Sequence, residues 1–211
     1  MPRAVSVNVM RESDAWTIAN KVSSKELMRR AGEGIFRSAK WTAPVAIVCG
    51  SGNNAGDGFV VADLLKKEGI DCTIILLAEK FSEDGKYYFD LCREEGIPVK
   101  LFEENVLNGF RTILDCILGT GFSGDVRGTA AKAIEAINAS DAYVVSADIN
   151  SGLNGDTGLG SNYVKSDLTV SIGDFKLGHF KGFAKEAMKQ KVNVDIGIEI
   201  QGDFVFFPDE A

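Results

Sequence analysis

A chain of 211 residues, 45% apolar and 25% charged, is long enough to bury a sizeable core in one large α/β domain without cross-links. Its formal charge of −7 comes without any cluster of Lys and Arg, which argues against a nucleic-acid partner. No run approaches the ~18 apolar residues of a membrane span and no basic-plus-apolar leader opens the chain, so a membrane role is disfavoured and a cytoplasmic location is expected.

Residues 8 to 20 read as a polar amphipathic helix. A stronger helix follows, with Ser23 three residues before Glu26 in the capping-box pattern and Leu27, Met28, Ala31, Ile35 and Ala39 at helical spacing. Gly32 and Gly34 cost that helix about 1 kcal/mol each relative to Ala unless another helix packs closely against them. The pattern then alternates. A strand over 45–49 leads to a helix near 56–68 closed by Gly69, and a strand over 72–78 to a helix near 82–95 closed by Gly96. A short strand covers Pro98–Phe102, and the next strand spans 112–118. After a loop come an alanine-rich helix near 129–138 and strands over 143–147 and 167–172. Two apolar stretches, 192–196 and 204–207, close the chain. Strands alternating with helices mean βαβ units, and continuous Ile/Leu/Val runs mean strands covered on both faces. The expected fold is a three-layer α/β/α Rossmann-like sandwich with a mostly parallel sheet. It forms a single domain over 1–211, with a helical extension at about 8–40 and an α/β core at about 44–207. Cys49, Cys72 and Cys116 sit in or beside strands and read as small core residues of a reducing compartment. With no Cys-x-x-Cys pair and one His, the chain has no recognisable zinc site.

Three polar loops each follow an apolar strand: Gly50–Gly58, Gly119–Asp125 and Asp148–Gly152. Loops at the carboxyl ends of parallel strands share one crevice, and ligands bind there. The first loop has four glycines in nine residues and runs into a helix N-terminus, where free N–H groups favour phosphate. It lacks the Gly-Lys-Ser/Thr of a Walker A loop and the spacing of G-x-G-x-x-G. A plain turn capped by Asn53 and Asp57 is the alternative. Asp115, inside an apolar strand, must be paired or bound to a cation, unless it is a strand-end Asp that caps the next turn. Asn54 and Ser151 are placed to add neutral oxygens, a hard, nitrogen-free set suited to a monovalent cation. Asp148, at a strand's carboxyl end, is the acid–base candidate, with a helix or turn cap as the alternative. Asp156 reads as a turn cap, Lys176 as a solvated loop lysine or a phosphate partner at the rim, and His179 as a surface residue.

Together these loops resemble the NAD(P)H-hydrate epimerase family, the YjeF N-terminal domain. Gly50–Gly58, Asp115–Phe122 and Asp148–Gly152 match the family's patterns in order and spacing. Leu27-Met28, Ala31-Gly32, Ser166–Val170 and Lys176–Gly178 are also similar. The resemblance implies interconversion of the R and S forms of NADH or NADPH hydrated at C6 of the nicotinamide ring. A separate, S-specific dehydratase then repairs both. It implies that Asn53, Asn54, Ala55, Gly56 and Asp57, with Gly119, Thr120, Gly121, Phe122, Ser123, Gly124 and Asp125, contact the hydrated dinucleotide. It further implies that Asn54, Asp115 and Ser151 hold K+ and that Asp148 meets the ring as acid and base in turn. A homodimer is expected as well, since Gly32 and Gly34 in an N-terminal helix permit two copies to pack closely. Two positions depart from the pattern. Ala55 replaces a Gly, adding a methyl at a phosphate-facing turn, and Asn150 replaces a Pro, loosening the third loop. The alternative is a non-catalytic nucleotide-binding dimerisation or scaffold domain of the same fold. Retention of Asp115 and Asp148 favours catalysis.

Overall fold

The structure, a computed structural model, describes residues 1–208; the last three positions of the expected domain lie outside the described residues. In chain order the elements are β1 (Arg3–Val5), α1 (Val7–Asn20), α2 (Ser24–Ser38), β2 (Val45–Cys49), α3 (Asn53–Lys67), β3 (Cys72–Leu76) and α4 (Glu83–Glu94). Then come β4 (Val99–Leu101), β5 (Thr112–Cys116), α5 (Gly128–Asn138), β6 (Tyr143–Ala147) and β7 (Leu168–Ile172). The chain closes with β8 (Phe175–Lys176), a 3-10 turn (Leu177–Phe180), α6 (Ala184–Ala187), β9 (Lys191–Val194) and β10 (Phe204–Phe206).

Seven strands form a parallel sheet in the order β4-β3-β2-β5-β6-β7-β9. Every residue of β2, β5 and β7 is buried, which explains their unbroken apolar reading. Alternate residues serve opposite faces. Val45, Ile47 and Cys49 pack under α2, α3 and α4 with Leu27, Phe59, Leu65 and Cys92. Ala46 and Val48 pack under α5 with Ala133, Ile134 and Ile137. The expected three layers are therefore present, and all four cysteines are buried and free. Among the described residues no helix is long and apolar enough to cross a membrane.

Gly32 has the expected helix neighbour, since a Cβ there would overlap Val60 of α3. Gly34 instead admits a strand: the obstacle is Val194 of β9. The capping box is only half made. Ser23 accepts from the Glu26 N–H at 3.3 Å, but the Glu26 carboxylate turns to Arg29 and Arg30. The helix expected from residue 56 starts at Asn53.

A second sheet, unforeseen in the sequence, has the order β10-β1-β8. β1 pairs antiparallel with β10 and parallel with β8, placing Val5 opposite Lys176. The Phe207 N–H donates to the Pro2 carbonyl at 2.9 Å, so both ends of the described chain meet. Asp156, expected to cap a turn, reaches across to accept from the Val7 N–H at 2.8 Å at the start of α1. The turn itself is held by Asn154, whose Oδ1 accepts from the Asp156 and Thr157 N–H groups at 3.0 Å.

Candidate active site

The three loops meet because their strands are neighbours: β2, β5 and β6 lie side by side in the sheet. The connection after β2 goes to β3 on one side while β5 lies on the other, so the chain reverses direction across the sheet at this point. A crevice opens where that happens. A cavity of about 630 Å³ fills it. Ser51, Gly52, Asn53, Asn54 and Asp57 line it from the first loop, residues 117–122 from the second, and Asp148 from the third. The opposite wall is mainly apolar, with Met10 and Ile18 of α1, Leu27 and Met28 of α2, and Ile196 and Ile198. Gly52, the N-cap of α3, has no side chain to satisfy the first-turn N–H groups, which leaves that helix end open to an anion.

Not every expected contact residue reaches the cavity lining. Ala55 lies within α3 with its methyl group in the main core, and it needs no positive φ. The added methyl is thus core packing and not a phosphate-facing defect. Gly56 is pressed between Met28 and Gly85. Ser123, Gly124 and Asp125 are exposed beyond the rim, where Asp125 accepts from the Ser161 hydroxyl at 3.0 Å. Asn150 does not loosen the third loop. It is fully buried, donates to the Val164 and Ala187 carbonyls at 2.9 and 3.0 Å, and accepts from the Thr169 hydroxyl at 2.5 Å.

Asp115 is buried beneath the cavity floor. The register sets it beside Ser146. Its carboxylate accepts from the Ser146 hydroxyl at 2.9 Å, the Ser151 N–H at 3.0 Å, the Ser151 hydroxyl at 2.5 Å and the Ile117 N–H at 3.2 Å. Burial pushes this carboxyl above its ordinary value even against those hydrogen bonds. Asn54 donates to the Ala147 carbonyl at 3.3 Å, and its Oδ1, buried, has no partner among the described residues.

Asp148 occupies a rare backbone state. Its φ is 63°, and the Ile149 N–H closes on the Ala147 carbonyl at 2.8 Å, so Asp148 is the centre of a positive-φ γ-turn. Such strain persists only where the surroundings enforce it, and it clusters at functional sites. Here the enforcement is visible. The Asp148 N–H donates to Val170 at 2.8 Å, and its carbonyl accepts from His179 Nε2 at 2.8 Å. His179 Nδ1 accepts from the Lys176 N–H at 3.0 Å, which fixes the ring proton on Nε2. The Asp148 carboxylate pairs with the Lys176 ammonium and accepts from the Thr120 hydroxyl at 3.0 Å. Burial drives this carboxyl upward, but Lys176 and Thr120 outweigh burial and hold it below its usual value.

Lys176 and His179 are therefore not solvated loop and surface residues; both are fully buried, one 3-10 turn apart. Only that i, i+3 spacing hinted at their partnership. Asp14 of α1, which the sequence did not single out, also lines the cavity.

Burial, then the Lys176 charge, lowers His179 to about 4. The unfolded chain binds a proton near pH 6.5 that the native ring refuses, so stability falls as pH drops from ~6.5 toward ~4, by on the order of 3 kcal/mol. His179 is the chain's only histidine. Its single imidazole NMR signal should keep neutral-form shifts throughout that window, whereas titration near the ordinary value would show an open ring.

A parallel α/β/α sandwich with a carboxylate-bearing cavity at its switch point belongs to the Rossmann-like class of small-molecule sites. A family model described as YjeF-related protein N-terminus matches residues 24–178. The chain belongs to that family. It is 37% identical over 208 residues to a Lentilactobacillus buchneri protein named NAD(P)H-hydrate epimerase, covering 94% of this chain and 96% of that one. It is 39% identical over 177 residues to the bifunctional NAD(P)H-hydrate repair enzyme Nnr of Archaeoglobus fulgidus, covering 82% of this chain and 37% of that one. The chain thus spans a little over a third of the bifunctional relatives it matches, at 35% and 37% of their lengths. The crystal structure of yeast ynu0 superposes with a TM-score of 0.78 over 95% of this chain and 96% of that one, at 20% identity, and so shares the fold.

Proposed function

We propose that the chain is an NAD(P)H-hydrate epimerase, acting as a single domain that interconverts the R and S forms of hydrated NADH or NADPH. The observation that carries this reading is Asp148, held in a strained turn against buried Lys176 at the edge of the cavity. The names of relatives that align along nearly their whole length support it. In this reading the open N-terminus of α3, at Gly52–Asn54, takes the diphosphate. The second loop's residues 119–122 follow the dinucleotide toward Asp148, and the apolar wall of Met10, Leu27 and Met28 packs against a ring face. Ser123, Gly124 and Asp125 contact the substrate only at the outer rim.

K+ fits the residues present. The unpartnered Asn54 Oδ1 is a buried oxygen able to ligate a cation, and Asp115 and Ser151 would join it by giving up part of the hydrogen bonding they now share. One carboxylate among neutral oxygens suits a monovalent ion better than a divalent one. When bound, the ion would offset the buried Asp115 charge and stiffen the loops around Asp148. A cytoplasmic homodimer working with a separate dehydratase completes the proposal. Gly32 and Gly34 are used up within the chain, so the dimer would draw on other surface, such as the exposed apolar β10.

The test couples the purified chain, in K+, to an S-specific dehydratase and follows the slow R fraction of the hydrates. Acceleration over the spontaneous rate is expected. None at all would leave the non-catalytic nucleotide-binding reading.

A further inference from the structure

The cavity holds more acid than one catalytic carboxylate requires. Asp14 of α1, Asp57 of α3 and Asp148 after β6 all line it, and the only buried cation among its lining residues is Lys176 of β8. Lys176 is committed to Asp148. Asp57 differs from its neighbours in being only 9% exposed while its carboxyl makes no hydrogen bond or ion pair among the described residues. Its oxygens open only into the cavity, and a carboxyl with so little water and no partner favours the neutral acid over the anion.

We propose that Asp57 is a second catalytic residue, the proton donor to the departing C6 hydroxyl, and that Asp148 is the proton acceptor. This rests on the epimerase reading above. The C6 hydroxyl oxygen takes the Asp57 proton and leaves as water with the C6–O electron pair, while the N1 lone pair closes a C6=N1 double bond. Water then adds its oxygen to C6 from the other face. The π pair returns to N1, and the surplus proton of that water passes to the Asp148 carboxylate. Nothing is oxidised or reduced. The proton has moved from Asp57 to Asp148, and exchange with water in the open cavity resets the pair.

The surroundings separate the two groups as such a division needs. Burial first, then the charges of Asp148 and Asp14, push Asp57 well above the ordinary carboxylate range, with Lys176 opposing. Asp148 lies below that range because it owns Lys176. The other ionisable groups near Asp57 are few. Asp84 of α4 lines the same cavity, the Cys116 thiol of β5 lies beneath α3, Arg11 of α1 sits exposed at the mouth, and α2 lines the cavity without a charge. The account of Asp148 alone as acid and base fits this less well, because an ionised partner of Lys176 has no proton to give.

Asp57→Asn is the test, since Asn imitates the neutral acid in shape and charge. In wild type, kcat/KM should fall on an alkaline limb as Asp57 loses its proton. The variant should lose that limb, with kcat down about 10²-fold and KM little changed. A second readout needs no turnover. A carboxyl raised in the native state contributes stability that is fully present below its unfolded pKa and is lost as pH rises toward its folded pKa. Asp57→Asn removes that loss, so it should melt higher than wild type at neutral pH and alike below the carboxylate range. A slow enzyme that is more stable is not what loss of a structural contact produces. The proposal is overturned if wild type turns over and the variant keeps more than half its kcat with the alkaline limb intact. It is also overturned if Asp57→Asn does not fold or melts lower at neutral pH, because a site that holds the neutral acid must accept Asn. A wild type without turnover would defeat the epimerase reading instead, and the melting comparison would still report on the Asp57 proton.

Discussion

Asp148→Asn is expected to slow epimerisation by about 10²-fold or more while changing affinity for the hydrated dinucleotide far less. The variant removes the ionisable group without disturbing the turn that carries it. Asn tolerates the left-handed region better than most residues, so φ of 63° is no obstacle. Its amide oxygen can still accept from Thr120 and Lys176, which keeps the ammonium from being stranded. Affinity should survive because the diphosphate is assigned to the start of α3, on a different loop. Steady-state kinetics of the R hydrate, coupled to the dehydratase, gives kcat and KM separately. Turnover near the wild-type rate would mean that the proton moves through another group.

The second large effect is on stability. Asp115→Ala leaves the Ile117 and Ser151 N–H groups buried without an acceptor and deprives the Ser146 hydroxyl of its own, while the Ser151 hydroxyl keeps only the Leu118 carbonyl at 3.1 Å. Each orphaned buried donor costs about 1–3 kcal/mol. The hydroxyls can turn and recover part of this, so the expected loss is about 3–5 kcal/mol. For a chain of this size that is a fall in Tm of roughly 10 °C. Any gain in Tm from K+ over a large organic cation should vanish in the same variant. An unchanged melting midpoint would show that Asp115 does not organise the floor of the site, and equal wild-type midpoints in the two salts would remove the cation from the proposal.

The strands were legible because burial on both faces leaves one kind of sequence. Val45–Cys49, Thr112–Cys116 and Tyr143–Ala147 are short, nearly pure apolar runs ending in polar loops. The three-loop crevice followed, because loops at the same edge of a parallel sheet have nowhere else to go. The sequence pattern starts α3 near residue 56, three residues beyond its actual start at Asn53. Asn and Gly are poor helix formers, and tertiary packing overrides them here. Ala55 reaches the core, and a Cβ at Gly58 would crowd Cys116 at 2.8 Å. The burial of His179 is hidden in the sequence for a different reason. A lone histidine in a polar tail carries no periodicity, and its burial depends on the Asp148 carbonyl, 31 residues back in the chain. Asp14 was missed because α1 reads as a solvated helix until the cavity beside it is known. The sheet of β1, β8 and β10 was illegible because strands of two or three residues pair across more than 170 positions.

That small sheet also makes residues 2–207 nearly a closed loop. Pro2 and Phe207 are hydrogen-bonded, so a Gly/Ser linker between these two positions would cross only the width of one strand pair. A ring closed between these two positions would hold β1 beside β10 and β8, and hence Lys176 in register. Ring closure over ~200 residues would restrict the unfolded ensemble by about 5 kcal/mol of loop entropy. The same adjacency makes the molecule suitable for circular permutation. An opening at the exposed turn around Gly96, outside the cavity lining, would then leave β10 and β1 covalently continuous as an internal hairpin beside β8.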